Sequence, residues 1–115
     1  MDTGQVTERP GWIVAGPLAL KDDGAEVLFH GADLPLTNAQ GLILRALVSR
    51  GGRIAQRSEI YVEAFGRTLT DGSRAVDTHV ARIRRVLGPA GRCIVTVGRV
   101  GYRLDLDVLA NATPV

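Results

Sequence analysis

Hydrophobic and polar positions along the first third of the chain come in short alternating blocks. Trp12-Ile13-Val14 is stopped by Gly16-Pro17, Leu18-Ala19-Leu20 by Lys21-Asp22-Asp23-Gly24, and Glu26-Val27-Leu28-Phe29-His30 by Gly31. Asp33-Leu34-Pro35-Leu36 follows, its leucines two apart. Apolar runs of this length between turn-forming residues predict the strands of an antiparallel meander. Pro17 and Pro35 belong at strand ends or edges, because proline cannot donate to a ladder. Residues 1–11 are polar, with Gly4, Pro10 and Gly11, and read as a loose tail.

The period changes at Thr37, whose hydroxyl can cap a helix over residues 38–50. Ile43, Leu44, Leu47 and Val48 recur there at helical spacing, and Gly51-Gly52 ends the run. Arg53-Ile54-Ala55 reads as a short extended link, followed by a helix over residues 57–65 with Ile60, Tyr61, Ala64 and Phe65 inward. Residues 66–73 read as a loop. A third helix is predicted over 74–87, where Val76, Val80, Ile83 and Leu87 form one apolar stripe. Gly88-Pro89 is expected to end it. Two strands, 93–97 and 102–104, then flank a tight hairpin at Gly98-Arg99-Val100-Gly101, and residues 105–115 read as a C-terminal tail.

Length and composition narrow the class. At 115 residues the chain is one small domain, with residues 12–104 as its body. Hydrophobic residues at 45% and charged residues at 23% fit an ordinary globule. No apolar run approaches the ~18 residues of a membrane span. The single cysteine, Cys93, excludes an internal disulfide and a Cys-based zinc site, and a reduced, cytoplasmic setting is expected. The net charge of +2 hides a segregation. Residues 1–36 hold two cations against six acids, whereas residues 37–104 hold twelve arginines against four acids. A basic body of this kind suggests a polyanionic partner; a solvated basic face is the plain alternative.

The third helix supplies the candidate chemistry. Opposite its apolar stripe, at about 100° per residue, lie Arg74, Thr78, Ala81, Arg82 and Arg85. Arginine can bond bidentately to guanine in the DNA major groove, and the Thr methyl and Ala can touch a thymine methyl. Arg99, at a thin β-tip between two glycines that permit unusual backbone angles, can enter the narrow minor groove. Against these stand a solvated cationic helix and an ordinary two-glycine turn.

The order strands, helix, helix, loop, helix, hairpin is that of a winged helix-turn-helix. Here the sequence resembles the DNA-binding effector domain of OmpR/PhoB-type response regulators. The resemblance rests on Leu36-Thr37 before the first helix, Gly51-Gly52-Arg53-Ile54 before the second, the run Arg74 to Leu87 as recognition helix, and Thr96 to Leu104 as wing. It covers residues 13–104. It implies an α+β fold with a four-stranded N-terminal antiparallel sheet, three helices and a C-terminal β-hairpin wing. It also implies a bacterial regulator with helix 74–87 in the major groove and wing 97–102 at the minor groove. Arg74, His79, Arg82 and Arg84 are implied phosphate contacts, with Asp77, Thr78 and Ala81 facing bases; Arg85 and Arg99 complete the expected DNA-binding set. Three departures stand out: Ala81 stands where the family often has a longer polar residue, Gly98 precedes Arg99 where the family has Arg then Gly, and Gln56 stands where Ser or Thr usually caps the second helix. Tandem direct repeats, a homodimer on DNA and a contact of loop 66–73 with RNA polymerase are the partners implied.

Other classes fit less well. His30 and His79 have no readable nucleophile or metal partner, so no catalytic site, metal or cofactor is expected, and Cys93 reads as a small buried hydrophobe. Gly98-Arg99-Val100-Gly101 matches the GxxG of an RNA-binding KH domain, but that loop joins two helices and here both flanks read as strands. A winged helix used only for protein contacts is the remaining rival. The receiver of such regulators would precede Trp12, where only residues 1–11 stand. A stand-alone protein, an isolated domain and a differently fused effector domain are all compatible with that.

Overall fold

The computed structural model describes residues 6–66 and 73–114. Four strands of the N-terminal sheet follow the alternation in the sequence: β2 (Trp12–Ala15), β3 (Leu18–Lys21), β4 (Val27–Phe29) and β5 (Ala32–Asp33). Ile13, Ala15, Leu18, Leu20, Val27 and Phe29 point inward and are buried. A fifth strand, β1 (Val6–Arg9), adds to the edge, and the sheet order is β1-β2-β3-β4-β5, all antiparallel. The sheet is therefore five-stranded rather than four-stranded, and residues 6–9 are not a loose tail. The reason lies in Pro10-Gly11. Arg9 pairs with Trp12, so these two residues make the whole turn, and Gly11 takes the positive φ of +80° that a type II turn needs at that position.

The first helix, α1 (Asn38–Ser49), starts as its cap predicts. The Thr37 hydroxyl accepts from the Gln40 N–H at 3.1 Å, and Gln40 Oε1 accepts from the Thr37 N–H at 3.0 Å. This reciprocal pair is a capping box. The extended link becomes a short strand, β6 (Ala55–Gln56), and α2 (Arg57–Phe65) follows. Although Gln56 lacks a capping hydroxyl, Glu59 returns to accept the Gln56 N–H at 2.8 Å. Gly66 closes α2 in the left-handed region.

The third helix, α3 (Ser73–Leu87), buries Val76, Val80, Ile83 and Leu87 completely. Gly88-Pro89 does not end the winding at once; a 3₁₀ segment runs on from Gly88 to Cys93, with Pro89 in its first turn where a missing N–H costs nothing. Cys93 is fully buried, and burial pushes its thiol up to about 11. Then β7 (Ile94–Val97) and β8 (Gly101–Leu104) form the hairpin, and β6 joins it to give a three-stranded sheet, β6-β8-β7. The GxxG sequence thus joins two strands, not two helices.

The expected C-terminal tail contains a further turn of helix, α4 (Leu106–Ala110). Asp105 caps it by accepting from the Asp107 and Val108 N–H groups, both at 3.1 Å, and Leu109 is buried. Beyond it, His30 Nε2 donates to the Ala112 carbonyl at 2.9 Å, which returns the chain end to the N-terminal sheet. Inward residues of both sheets and all four helices form one apolar cluster.

Candidate nucleic-acid interface

The site is built outward from α3. Its apolar stripe fixes which way the rest of the helix faces. Arg74, Thr78, Ala81, Arg82 and Arg85 are all exposed on the opposite side. Among the described residues, none of their side chains has a hydrogen bond or ion pair with another side chain or with the backbone of another element. The other three expected residues of α3 sit on its flanks, and each is engaged.

One flank faces the wing. Asp77 and Arg84 are seven residues apart and therefore lie on the same side. The Asp77 carboxylate accepts from Arg57 Nε at 2.8 Å and from the Tyr102 hydroxyl. Arg57 also donates to the Arg99 carbonyl at 3.0 Å. Partial burial pushes the Asp77 carboxyl up, but the bonds from Tyr102 and Arg57 outweigh it and leave it below its ordinary value. Burial, with the bond to Asp77, holds the Tyr102 hydroxyl above its ordinary range, and Arg57 is raised by the same carboxylate. Arg84 donates to the Ile94 carbonyl at 2.6 and 3.1 Å and to Thr96 Oγ1 at 2.9 Å. The guanidiniums of Arg57 and Arg84 stand over the Tyr102 ring at 5.0 and 5.5 Å from its centroid. Two guanidiniums against one ring, and a carboxylate shared by Arg57 and the ring's own hydroxyl, tie the wing to α3 as a single unit.

The opposite flank faces α1 and α2. His79 Nδ1 lies 3.1 Å from Gln40 Nε2, and its ring centroid is 5.7 Å from that of Phe65. The expectation that Asp77 faces a base differs from its place here: its carboxylate is turned to the wing. Arg84 likewise braces β7 instead of standing free. Arg57 and Tyr102 were not among the expected site residues. Their contacts to Asp77 are 20 and 25 residues apart in sequence, too far for local spacing to signal.

At the wing tip, Gly98, Arg99 and Val100 are exposed. The two glycines do different work. Gly98 takes φ +48°, whereas Gly101 is needed for close approach: a Cβ there would lie 2.0 Å from the Ala55 carbonyl oxygen. Loop 66–73, with its expected polymerase contact, lies outside the described residues except for Gly66 and the backbone of Ser73. Among the described residues no helix is long and apolar enough to cross a membrane.

The family model for "Transcriptional regulatory protein, C terminal" matches residues 31–104. The transcriptional regulatory protein VxrB of Vibrio cholerae serotype O1 is 32% identical over 103 residues, covering 90% of this chain and 40% of that protein. The chain spans less than half the length of the curated relatives it matches. Among solved structures, the DNA-binding domain of CpxR from E. coli is similar with a TM-score of 0.70 and 27% identity, covering 81% of this chain and 94% of that one. The RstA DNA-binding domain of Klebsiella pneumoniae, solved in complex with the RstA box, has a TM-score of 0.69 and 26% identity, covering 83% and 97%.

Proposed function

The chain belongs to the family of C-terminal domains of transcriptional regulatory proteins, the OmpR/PhoB-type DNA-binding domains, and on that premise we propose that it reads double-stranded DNA by sequence and regulates transcription. The observation that carries this reading is the division of labour on α3. Among the described residues, the five outward side chains make no hydrogen bond or ion pair to other side chains or other elements, though the Arg74 charge helps hold the Asp77 carboxyl low, while the flanking residues hold the helix on both sides.

α3 enters the major groove. Arg74, Arg82 and Arg85 bond to guanine edges or phosphates, and the small Thr78 and Ala81 allow close approach and methyl contact. His79 lies at the groove edge, beside the phosphates. Asp77 and Arg84 act through the wing, and Arg99 reaches the adjacent minor groove, whose negative potential favours it. Two copies bind tandem direct repeats as a homodimer on DNA, and loop 66–73 contacts RNA polymerase. The setting is the cytoplasm, where a bacterial operator lies. No catalytic step, metal or cofactor belongs to this function.

Selection of bound sites from a random duplex pool at fixed salt tests it, because affinity for DNA depends steeply on salt. A recurring half-site is expected, and its repetition supports pairing. Arg82→Ala is expected to lose about 1–3 kcal/mol on the selected site if Arg82 reads a base. If it holds only a phosphate, all duplexes weaken alike and the salt slope falls by about one. No enrichment of any duplex, or tighter binding of single-stranded RNA, would overturn the proposal.

A further inference from the structure

Gln40 is 6% exposed and is the buried polar side chain of the core among the described residues. Its hydrogen bonds can be assigned without choice. The Thr37 backbone N–H can only donate, so the atom 3.0 Å from it must be the amide oxygen of Gln40. The atom turned to His79 is then the amide nitrogen, which can only donate. Consequently Nδ1 of His79 must offer a lone pair, and the proton of the neutral ring sits on Nε2. The Phe65 ring bounds the imidazole on the α2 side.

We infer that Gln40 is a positioning residue that holds His79 in the neutral Nε2–H tautomer, so that α3 presents a fixed N–H donor at position 79. A phosphate oxygen only accepts, so this tautomer is the one that can bond it; the other would set a lone pair against it. The same amide closes the capping box of α1 and selects the tautomer of a ring 39 positions away on α3. A glutamine is needed for both tasks. A carboxylate could accept from Thr37 but could not donate to the ring. The donor's use rests on the DNA-binding reading above; the tautomer does not.

Long-range ¹⁵N–¹H correlation on histidine-labelled protein, above the ordinary histidine pKa, tests this directly, with His30→Gln used to assign the two rings. In the wild-type chain His79 is expected to show a pyridine-type Nδ1 and a pyrrole-type Nε2. In Gln40→Glu the capping acceptor survives, and Nδ1 is expected to move to the pyrrole-type range, whichever charge the ring takes. An Nδ1–H tautomer in the wild type, the averaged pattern of a free imidazole, or an unchanged pattern in Gln40→Glu would overturn the inference. The wild-type spectrum decides even if the variant fails to fold. On adding the selected duplex, the Nε2–H signal is expected to shift and stay pyrrole-type. Bound duplex with no change at Nε2 overturns the phosphate contact, whereas a chain that binds no duplex overturns the DNA-binding reading and leaves the tautomer result standing.

Discussion

Tyr102 is the sharpest place to test the bracing of the wing. Its side chain is buried, with the residue only 4% exposed, and its hydroxyl donates to Asp77. Tyr102→Phe keeps the ring beside both guanidiniums and removes the hydroxyl, and with it the bond to Asp77 and the contact with Arg57. A hydrogen bond to a charged acceptor contributes about 1.5–3 kcal/mol when shielded. Here the Asp77 side chain is 45% exposed, so water competes for the carboxylate and the lower end applies. The expected loss for Tyr102→Phe is about 1–1.5 kcal/mol. Asp77→Asn removes the charge seen by both Tyr102 and Arg57, and about 2 kcal/mol is expected. Urea denaturation at neutral pH, with the slope m required to stay constant, gives each value. For a domain of this size 1 kcal/mol also corresponds to about 4 °C in Tm. The decisive quantity is the double-mutant coupling between the two positions, expected at about 1 kcal/mol. Additivity within about 0.3 kcal/mol, the scatter seen for independent sites, would refute the bracing argument.

Three more predictions concern the wing and its pH window. Asp77 is held below its ordinary value, so its contribution is present above about pH 4 and is lost as pH falls through the folded value. Tyr102 is held above its ordinary value, so its contribution is present below about pH 10 and is lost as pH rises through the folded value. The stability gap between wild type and Tyr102→Phe should therefore be flat from about pH 5 to 9 and shrink outside it; a gap that widens in acid contradicts this. Gly101→Ala forces a Cβ onto the Ala55 carbonyl and is expected to cost about 2 kcal/mol or more, whereas Gly98→Ala meets open space and costs about 1 kcal/mol of backbone strain. Thermal melts showing the reverse order would sink the reading of Gly101 as a close-approach residue. Arg99→Ala should weaken binding to the selected duplex without moving the melting temperature, since its exposed side chain is not part of the brace; unchanged affinity makes the wing tip a bystander.

What could be read in the chain was what depends on neighbours a few residues away. The stripe Val76, Val80, Ile83 and Leu87 follows from helical spacing, and all four side chains are fully buried. The Thr37 cap closes within three residues. The strand β1 was missed although its turn was in plain sight, because Val6-Thr7-Glu8-Arg9 has too little apolar content to announce a strand, and pairing with β2 supplies what the residues lack. α4 was missed because a single turn has almost no period to detect; Asp105 and Leu109 are its only strong signals. Asp77, His79 and Arg84 were correctly gathered on one helix, but their separate tasks depend on partners 25, 39 and 10 residues away. The first two pairs exceed any window of local periodicity, and the third crosses from a helix to a strand, where no single period links its members. The rule that α3 alternates presenting and holding positions could be stated only once the partners were in place.

That division has a consequence for how such a domain can change over generations. Arg74, Thr78, Ala81, Arg82 and Arg85 contribute little to holding the fold together, so substitutions there are close to neutral for stability. Substitutions at Asp77, His79 or Arg84 carry a penalty in folding before any effect on binding is felt. If the first set reads the operator as proposed, a lineage can drift from one operator to another through it while the second set remains under constraint. On that reading the preferred DNA site is a replaceable surface on a scaffold whose tolerance for change is set elsewhere, in the core and at the two flanks of one helix.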